Sequence, residues 1–302
     1  MKITIAAPER ETGAFERKPD TFRNWVRRDA STAWTPDAGR YHLYISLACP
    51  WAHRTLIVRH LKRLESIVSC SVVDPIRTDE EGWAFREGPG FSSDPVNGFS
   101  FLKQAYLATD PDFKGRWSVP VLWDRQTRRI VNNSEDDICR MFNDEFPQAA
   151  KSPDLFPSDI SREQAELSES IYNSVNDGVY RAGFATRQSA YEIAARTLFA
   201  CLDSLEQRLA GRRFLFGDRC VETDWRLFCT LVRFDAVYHG HFKCNLRRIV
   251  DYPNLHRYLK DLYSTPGIAD TVNFDHIKRH YYVTHDDINP TRIVPIGPIL
   301  DL

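Results

Sequence analysis

The sequence predicts an α/β unit followed by an all-α unit, on three observations. Residues 41–64 read as a strand, a Cys-Pro junction and a helix in immediate succession. Up to residue 147 the order of elements is strand, helix, strand, long insert, strand, strand, helix. Beyond a Pro-containing break at residues 148–158 the apolar pattern is almost wholly helical.

Residues 1–40 mix charge, Pro and Gly with Phe22, Trp25 and Trp34. Aromatics at that density argue against a free tail, so an arm packed on the body is expected, with residues 22–25 near a surface groove. Residues 41–47 alternate apolar and polar types and are rich in aromatic and β-branched side chains, so they read as a strand. The strand stops at Ala48-Cys49-Pro50, and Leu56, Ile57, His60, Leu61 and Leu64 then recur at helical spacing. Pro50 suits the first helical turn, where its missing N–H costs nothing. Cys49 therefore falls at the positive end of a helix dipole, where a thiol loses its proton more readily and becomes a nucleophile. Residues 66–73 form a second short strand.

The insert, residues 74–117, is full of turn formers and aromatics and shows no sustained period. A loop that long inside a compact domain is usually functional. Trp83 lies in it, suited either to packing or, if its indole is exposed, to donating a hydrogen bond to a ligand carboxylate. Residues 118–123 and 129–131 read as a hairpin, with Pro120 tolerated at an edge or as a cis bond. Asn133-Ser134-Glu135-Asp136 opens a helix running to about Asn143, with acids in its first turn and an N-terminus suited to an anion. After the linker come helices over residues 186–210, 224–238 and 253–263, then an irregular tail from Tyr282 containing three prolines. Three spans result: an arm over 1–40, an α/β domain over 41–147, and a helical domain over 159–302.

With 40 basic and 41 acidic residues spread along 302 positions, a nucleic-acid surface is not expected. No run has signal-peptide or bilayer-spanning character, so the expectation is a cytoplasmic chain with no membrane partner. Seven cysteines at irregular spacings fit reduced thiols better than a disulfide framework. The place of a resolving thiol, three residues after Cys49, holds Ala52, so a mixed disulfide at Cys49 needs an external small-molecule thiol. Tyr180, Tyr238 and Tyr281 are phenols that can serve a thiolate as donor or acid, but sequence alone does not place them. His239-Gly240-His241 with Cys244 lacks zinc-site spacing, and no metal is expected. No G-x-S-x-G, P-loop or G-x-G-x-x-G occurs.

Seven separate blocks carry a resemblance: SLACPWAHRTLI, EEGWAF, RWSVPVLWD, IVNN, YRAGFA, DWRLFCTLVRFDAVYHGHFKCN and NFDHIKRHYYVTHDDINP. Together they look like the xi-class glutathione transferases, the glutathionyl-hydroquinone reductases. The resemblance implies a thioredoxin-like N-terminal domain, an all-helical C-terminal domain, a homodimer, and glutathione as co-substrate beside an aromatic, quinone-derived substrate. It implies that Cys49 attacks the sulfur of a glutathionyl-hydroquinone and that a second glutathione resolves the adduct. By resemblance, Trp83, Arg116, Trp117, Ser118, Val119, Ser134 and Glu135 bind glutathione, with the Val119 backbone pairing with the peptide. Tyr180 is the implied acid/base, and Tyr238 and Tyr281 the implied thiolate-tuning residues. Two departures stand out. The family's usual Glu-Ser order at the γ-glutamyl site is Ser134-Glu135 here, which is also compatible with another low-molecular-weight thiol. The family's Thr-x-x-Asp capping box begins with Val221, leaving the cap to Thr223 or Asp224. A conjugating transferase and a thioltransferase are the alternatives on the same scaffold.

Overall fold

A computed structural model describes residues 12–147, 149 and 152–302. Residues 1–11 of the expected arm, and Gln148, Ala150 and Lys151 of the expected linker, lie outside the described residues. The chain divides into two compact units. Residues 19–154 and 271–284 make up the first; residues 155–270 and 285–302, with the described part of 2–18, make up the second. The sequence-based spans 1–40 and 159–302 are thus each shared between the two units.

The first unit is built on a four-stranded sheet. Its strands are β1 (Tyr41–Ile45), β2 (Val68–Val72), β3 (Val121–Asp124) and β4 (Arg129–Asn132), in the order β2-β1-β3-β4. β1 and β2 are parallel, and the other two pairings are antiparallel. A parallel pair needs a crossover, and helix α1 (Pro50–Leu61) supplies it. Inside the insert lies a short helix, α2 (Lys103–Thr109), which buries Ala105 and Tyr106. The sequence reading left this stretch as loop because seven residues are too few to display a period. Helix α3 (Glu135–Asp144) buries Ile138, Met141 and Phe142 and packs on α1. This is the thioredoxin-like architecture the sequence predicts.

All five residues of β1 are buried, on both faces of the sheet. The insert covers the second face. The Tyr44 hydroxyl donates to Asp94 at 2.9 Å, its ring lies 5.1 Å from Phe85, and Asp94 also accepts the N–H groups of Val96, Asn97 and Phe99. His42 spends both ring nitrogens on the hydroxyls of Ser69 and Ser71. Burial brings its pKa down to about 4, so it enters the sheet uncharged. The arm completes the sheet's other edge. Asn24 N–H donates to Val131 O at 3.1 Å, and the Phe22 ring packs on Tyr106 and Phe113.

The second unit is helical. Helix α4 (Ser161–Ile171) runs through a π turn, Tyr172–Asn176, towards α5 (Gly178–Gly183). The long α6 (Gln188–Arg208) is followed by Gly211, whose φ of +71° is left-handed backbone that favours glycine. Helix α7 (Glu222–Arg233) passes into a second π turn, Phe234–Tyr238, and α8 (Pro253–Tyr263) packs beside α7. Val221 has no side-chain acceptor, so Asp224 secures the start of α7. Its carboxylate accepts the N–H groups of Val221 and Leu215 at 2.9 and 3.0 Å and the Tyr258 hydroxyl at 3.0 Å. Complete burial nonetheless pushes the Asp224 carboxyl up to about 6. Thr223 does not cap; its hydroxyl meets that of Ser168 at 2.7 Å.

The chain then returns to the first unit as α9 (Phe274–Thr284). Asn273 caps it by accepting the His276 N–H at 3.0 Å. Helix α9 continues past Tyr282, so the irregular tail begins after Thr284 and not where the sequence reading placed it.

Candidate active site

Cys49 stands where β1 hands over to α1, in the N-cap position, with extended backbone (φ −78°, ψ 120°) and no side-chain capping bond. Pro50 occupies the first turn as expected. The thiol is half-buried, and its sulfur lies 3.7 Å from the Val119 carbonyl. Val119 precedes a cis peptide bond to Pro120 at the entry to β3. Burial pushes the Cys70 thiol up to about 11 and raises Cys201, Cys220 and Cys244 as well, which makes them poor thiolates near neutrality.

The segment leading into Val119 is fixed from α2. The Tyr106 hydroxyl donates to Ser118 O at 2.8 Å and accepts the Ser118 N–H at 3.2 Å, while Asn133 Nδ2 donates to it at 3.4 Å. Burial pushes this phenol up to about 12, which keeps its proton on. Arg116 is exposed, and the half-buried Trp117 ring lies 5.8 Å from the Lys103 ammonium.

At the start of α3, Ser134 holds the N-cap position with no side-chain capping bond, and its N–H goes to Asn132 Oδ1 at 2.7 Å. Glu135 turns inward. Arg54 of α1 reaches its carboxylate at 3.2 Å and Asp136 at 2.5 Å, and burial first, then Asp136, pushes the Glu135 carboxyl upward. The exchanged order therefore leaves a hydroxyl at the helix start and ties the carboxylate to the helix that carries Cys49.

Trp83 is not the exposed indole that donation to a ligand would call for: it is 5% exposed and stacks on His280 of α9, with ring centroids 5.0 Å apart at 21°. The buried Arg77 guanidinium lies 5.9 Å from the same indole. Burial, then the positive field of Arg116, brings Arg77 down to about 10, while Cys49 acts in the opposite sense. Sequence reasoning missed Arg77 because nothing distinguishes one arginine in an aperiodic insert. Tyr281 is buried and meets the His280 ring edge-on at 5.3 Å. The first unit thus holds Cys49, Trp83, the segment from Arg116 to Val119, Ser134, Glu135 and Tyr281.

Tyr180 and Tyr238 belong to the second unit. Their hydroxyl oxygens are 3.5 Å apart. The Arg17 guanidinium lies 5.0 Å from the Tyr180 ring and is held by Asp177 at 2.7 Å. Tyr238 ends the π turn into which α7 passes, and stacks on Phe242 at 5.5 Å. Gly183 admits that ring: a Cβ there would lie 2.2 Å from Phe242 Cγ. His241 faces His285 at 3.3 Å and Cys244 is buried, so the histidine-rich turn packs inside this unit. Among the described residues, no group of three or more His, Cys, Asp or Glu is placed to hold a metal ion.

Residues 48–145 match the glutathione S-transferase N-terminal domain family and residues 188–261 its C-terminal domain family. The chain is 50% identical to glutathionyl-hydroquinone reductase YqjG of Escherichia coli, covering 96% of this chain and 90% of that one. It is 49% identical to glutathionyl-hydroquinone reductase PcpF of Sphingobium chlorophenolicum, covering 95% and 90%. The glutathione-bound structure of YqjG superposes with a TM-score of 0.89 at 48% identity, covering 96% and 95%. The xi glutathione transferase of Phanerochaete chrysosporium gives 0.91 at 50% identity, covering 94% and 98%. The resemblance carried by the seven sequence blocks therefore extends over nearly the whole chain, and the protein belongs to the xi-class glutathione transferases, the glutathionyl-hydroquinone reductase family.

Proposed function

We propose that this enzyme is a glutathionyl-hydroquinone reductase. The observation that carries the proposal is a lone thiol at a helix start with Ala52 where a resolving cysteine would stand. The Cys49 thiolate attacks the glutathionyl sulfur, forming the Cys49–glutathione disulfide as the carbon–sulfur bond breaks. The electron pair leaves with the ring, which takes a proton and becomes the free hydroquinone. A second glutathione thiolate attacks the mixed disulfide, giving oxidised glutathione and the Cys49 thiolate. The ring carbon gains two electrons, and two sulfurs, the thioether sulfur of the conjugate and the thiol of the second glutathione, are oxidised to one disulfide, so the cycle balances with Cys49 regenerated.

Several features support the roles assigned here. The Val119 carbonyl beside the sulfur suits a segment that aligns the peptide, and the Ser134 hydroxyl, which makes no capping bond at a helix N-terminus, suits a carboxylate. Trp83 contributes an apolar wall, and Arg77 and Arg116 supply positive charge. Tyr180, with Tyr238 and Tyr281, is assigned the proton transfer and the tuning of the thiolate. Family membership also supports a homodimer, which sedimentation at varied concentration would test.

The deciding experiment is intact-mass spectrometry after mixing enzyme with a glutathionyl-hydroquinone. A single glutathione adduct on Cys49 that free glutathione discharges is expected. The absence of any adduct, with turnover unchanged in Cys49→Ala, overturns the proposal.

A further inference from the structure

Three side chains of α9 reach backbone atoms of the insert. His276, His280 and Thr284 follow at i, i+4 and i+8, a spacing that places them along one side of a helix. His276 Nε2 bonds Pro89 O at 2.7 Å, His280 Nδ1 bonds Pro75 O at 2.8 Å, and Thr284 Oγ1 accepts the Arg77 N–H at 3.4 Å. A carbonyl oxygen only accepts, so His276 carries a proton on Nε2 and His280 one on Nδ1. The insert residues so held bracket Trp83 in the chain, two before it and one after. Close approach is built in at Gly90, where φ is +80° and a Cβ would lie 3.1 Å from both Asn273 Nδ2 and His276 Nε2. The His280 ring, besides anchoring Pro75, lies nearly parallel to the Trp83 indole.

We infer that α9 is a clasp fixing the pose of Trp83, and that His280 is its positioning residue, acting on thiol binding through the indole. The inference rests on the reading above, in which Trp83 lines the glutathione site. An indole on an aperiodic loop has rotamer freedom that ligand binding would otherwise have to remove; the stack and the Pro75 anchor remove it beforehand. The clasp bears on affinity and not on the chemistry of the sulfur.

The test uses His280→Ala and His280→Phe in the full chain. Three readouts are needed: turnover of a glutathionyl-hydroquinone, the rate of Cys49 alkylation, and Trp83 emission obtained by difference from matching Trp83→Phe proteins. His280→Ala is expected to raise KM about tenfold with kcat nearly unchanged, as loss of one aromatic stack and one hydrogen bond implies. Alkylation of Cys49 should keep its wild-type rate. His280→Phe, which preserves the stack, should recover most of the lost KM, and Trp83 emission should shift to the red in the Ala variant only. A wild-type KM in His280→Ala, or a Phe variant no better than the Ala variant, overturns the inference. The emission difference is read without substrate. A wild-type enzyme that leaves the conjugate untouched therefore removes the functional reading, whereas an unshifted Trp83 in His280→Ala removes the clasp.

Discussion

Helices α1 and α7 begin in opposite ways. α1 opens on Cys49 with no side-chain capping bond, and α3 likewise opens on a serine that could cap and does not. At the start of α7 the buried Asp224 carboxylate closes back on the N-cap Val221 N–H, and it also holds the Leu215 N–H of the preceding loop and the Tyr258 phenol. A helix start presents N–H groups that need acceptors. Where a side chain supplies them, the helix end contributes to stability; where none does, the end is left to a reacting sulfur or a bound anion.

That contrast can be broken in stages. Cys49→Ser should lower turnover by about a thousandfold or more, because the nucleophile is gone, while the thermal midpoint stays within about 2 °C. Asp224→Ala should do the reverse, costing about 3 kcal/mol in urea unfolding through its orphaned donors and leaving Cys49 alkylation in the folded fraction unchanged. The same carboxyl gives a pH signature. Its folded pKa of about 6 lies above the ordinary 3.8, so between those values the unfolded chain releases the proton first. This contribution therefore lowers stability as pH rises from about 4 to 6 and is absent below that window. Across that window stability should fall more steeply, or rise less, with pH in the wild type than in Asp224→Asn, as parallel denaturant titrations at several pH values would reveal. The smallest effect belongs to Ser134→Ala. With no capping bond to lose, unfolding free energy should move by less than about 0.5 kcal/mol, whereas the KM for glutathione should rise about fivefold for one lost hydrogen bond.

Much of the first unit was legible because its signals are local. The strand, Cys49, Pro50 and the helix follow one another without interruption, and α8 runs over Pro253–Tyr263 as its pattern predicts. The helix start at Ser134 was readable for the same reason. What escaped is non-local. The bonds from His280 to Pro75 and from His276 to Pro89 join residues 205 and 187 positions apart, a separation no periodicity spans. The burial of Trp83 follows from those bonds, and so does the recruitment of Arg77. The burial of β1 on both faces was likewise not legible, since the insert that covers Tyr44 has no pattern of its own. Chemistry at the helix start could be read from neighbours in sequence; the walls around it could not.

The return of residues 271–284 to the first unit has a consequence for synthesis. A ribosome releases the sheet and α1 early, yet the helix that holds the insert emerges only after residues 155–270 of the second unit have been made. Until then the nascent chain carries Trp83 and Arg77 without their stacking and anchoring partners on α9. The unit whose sheet is made early is completed almost last, and a chain interrupted after residue 270 would present the thiol without its finished surroundings.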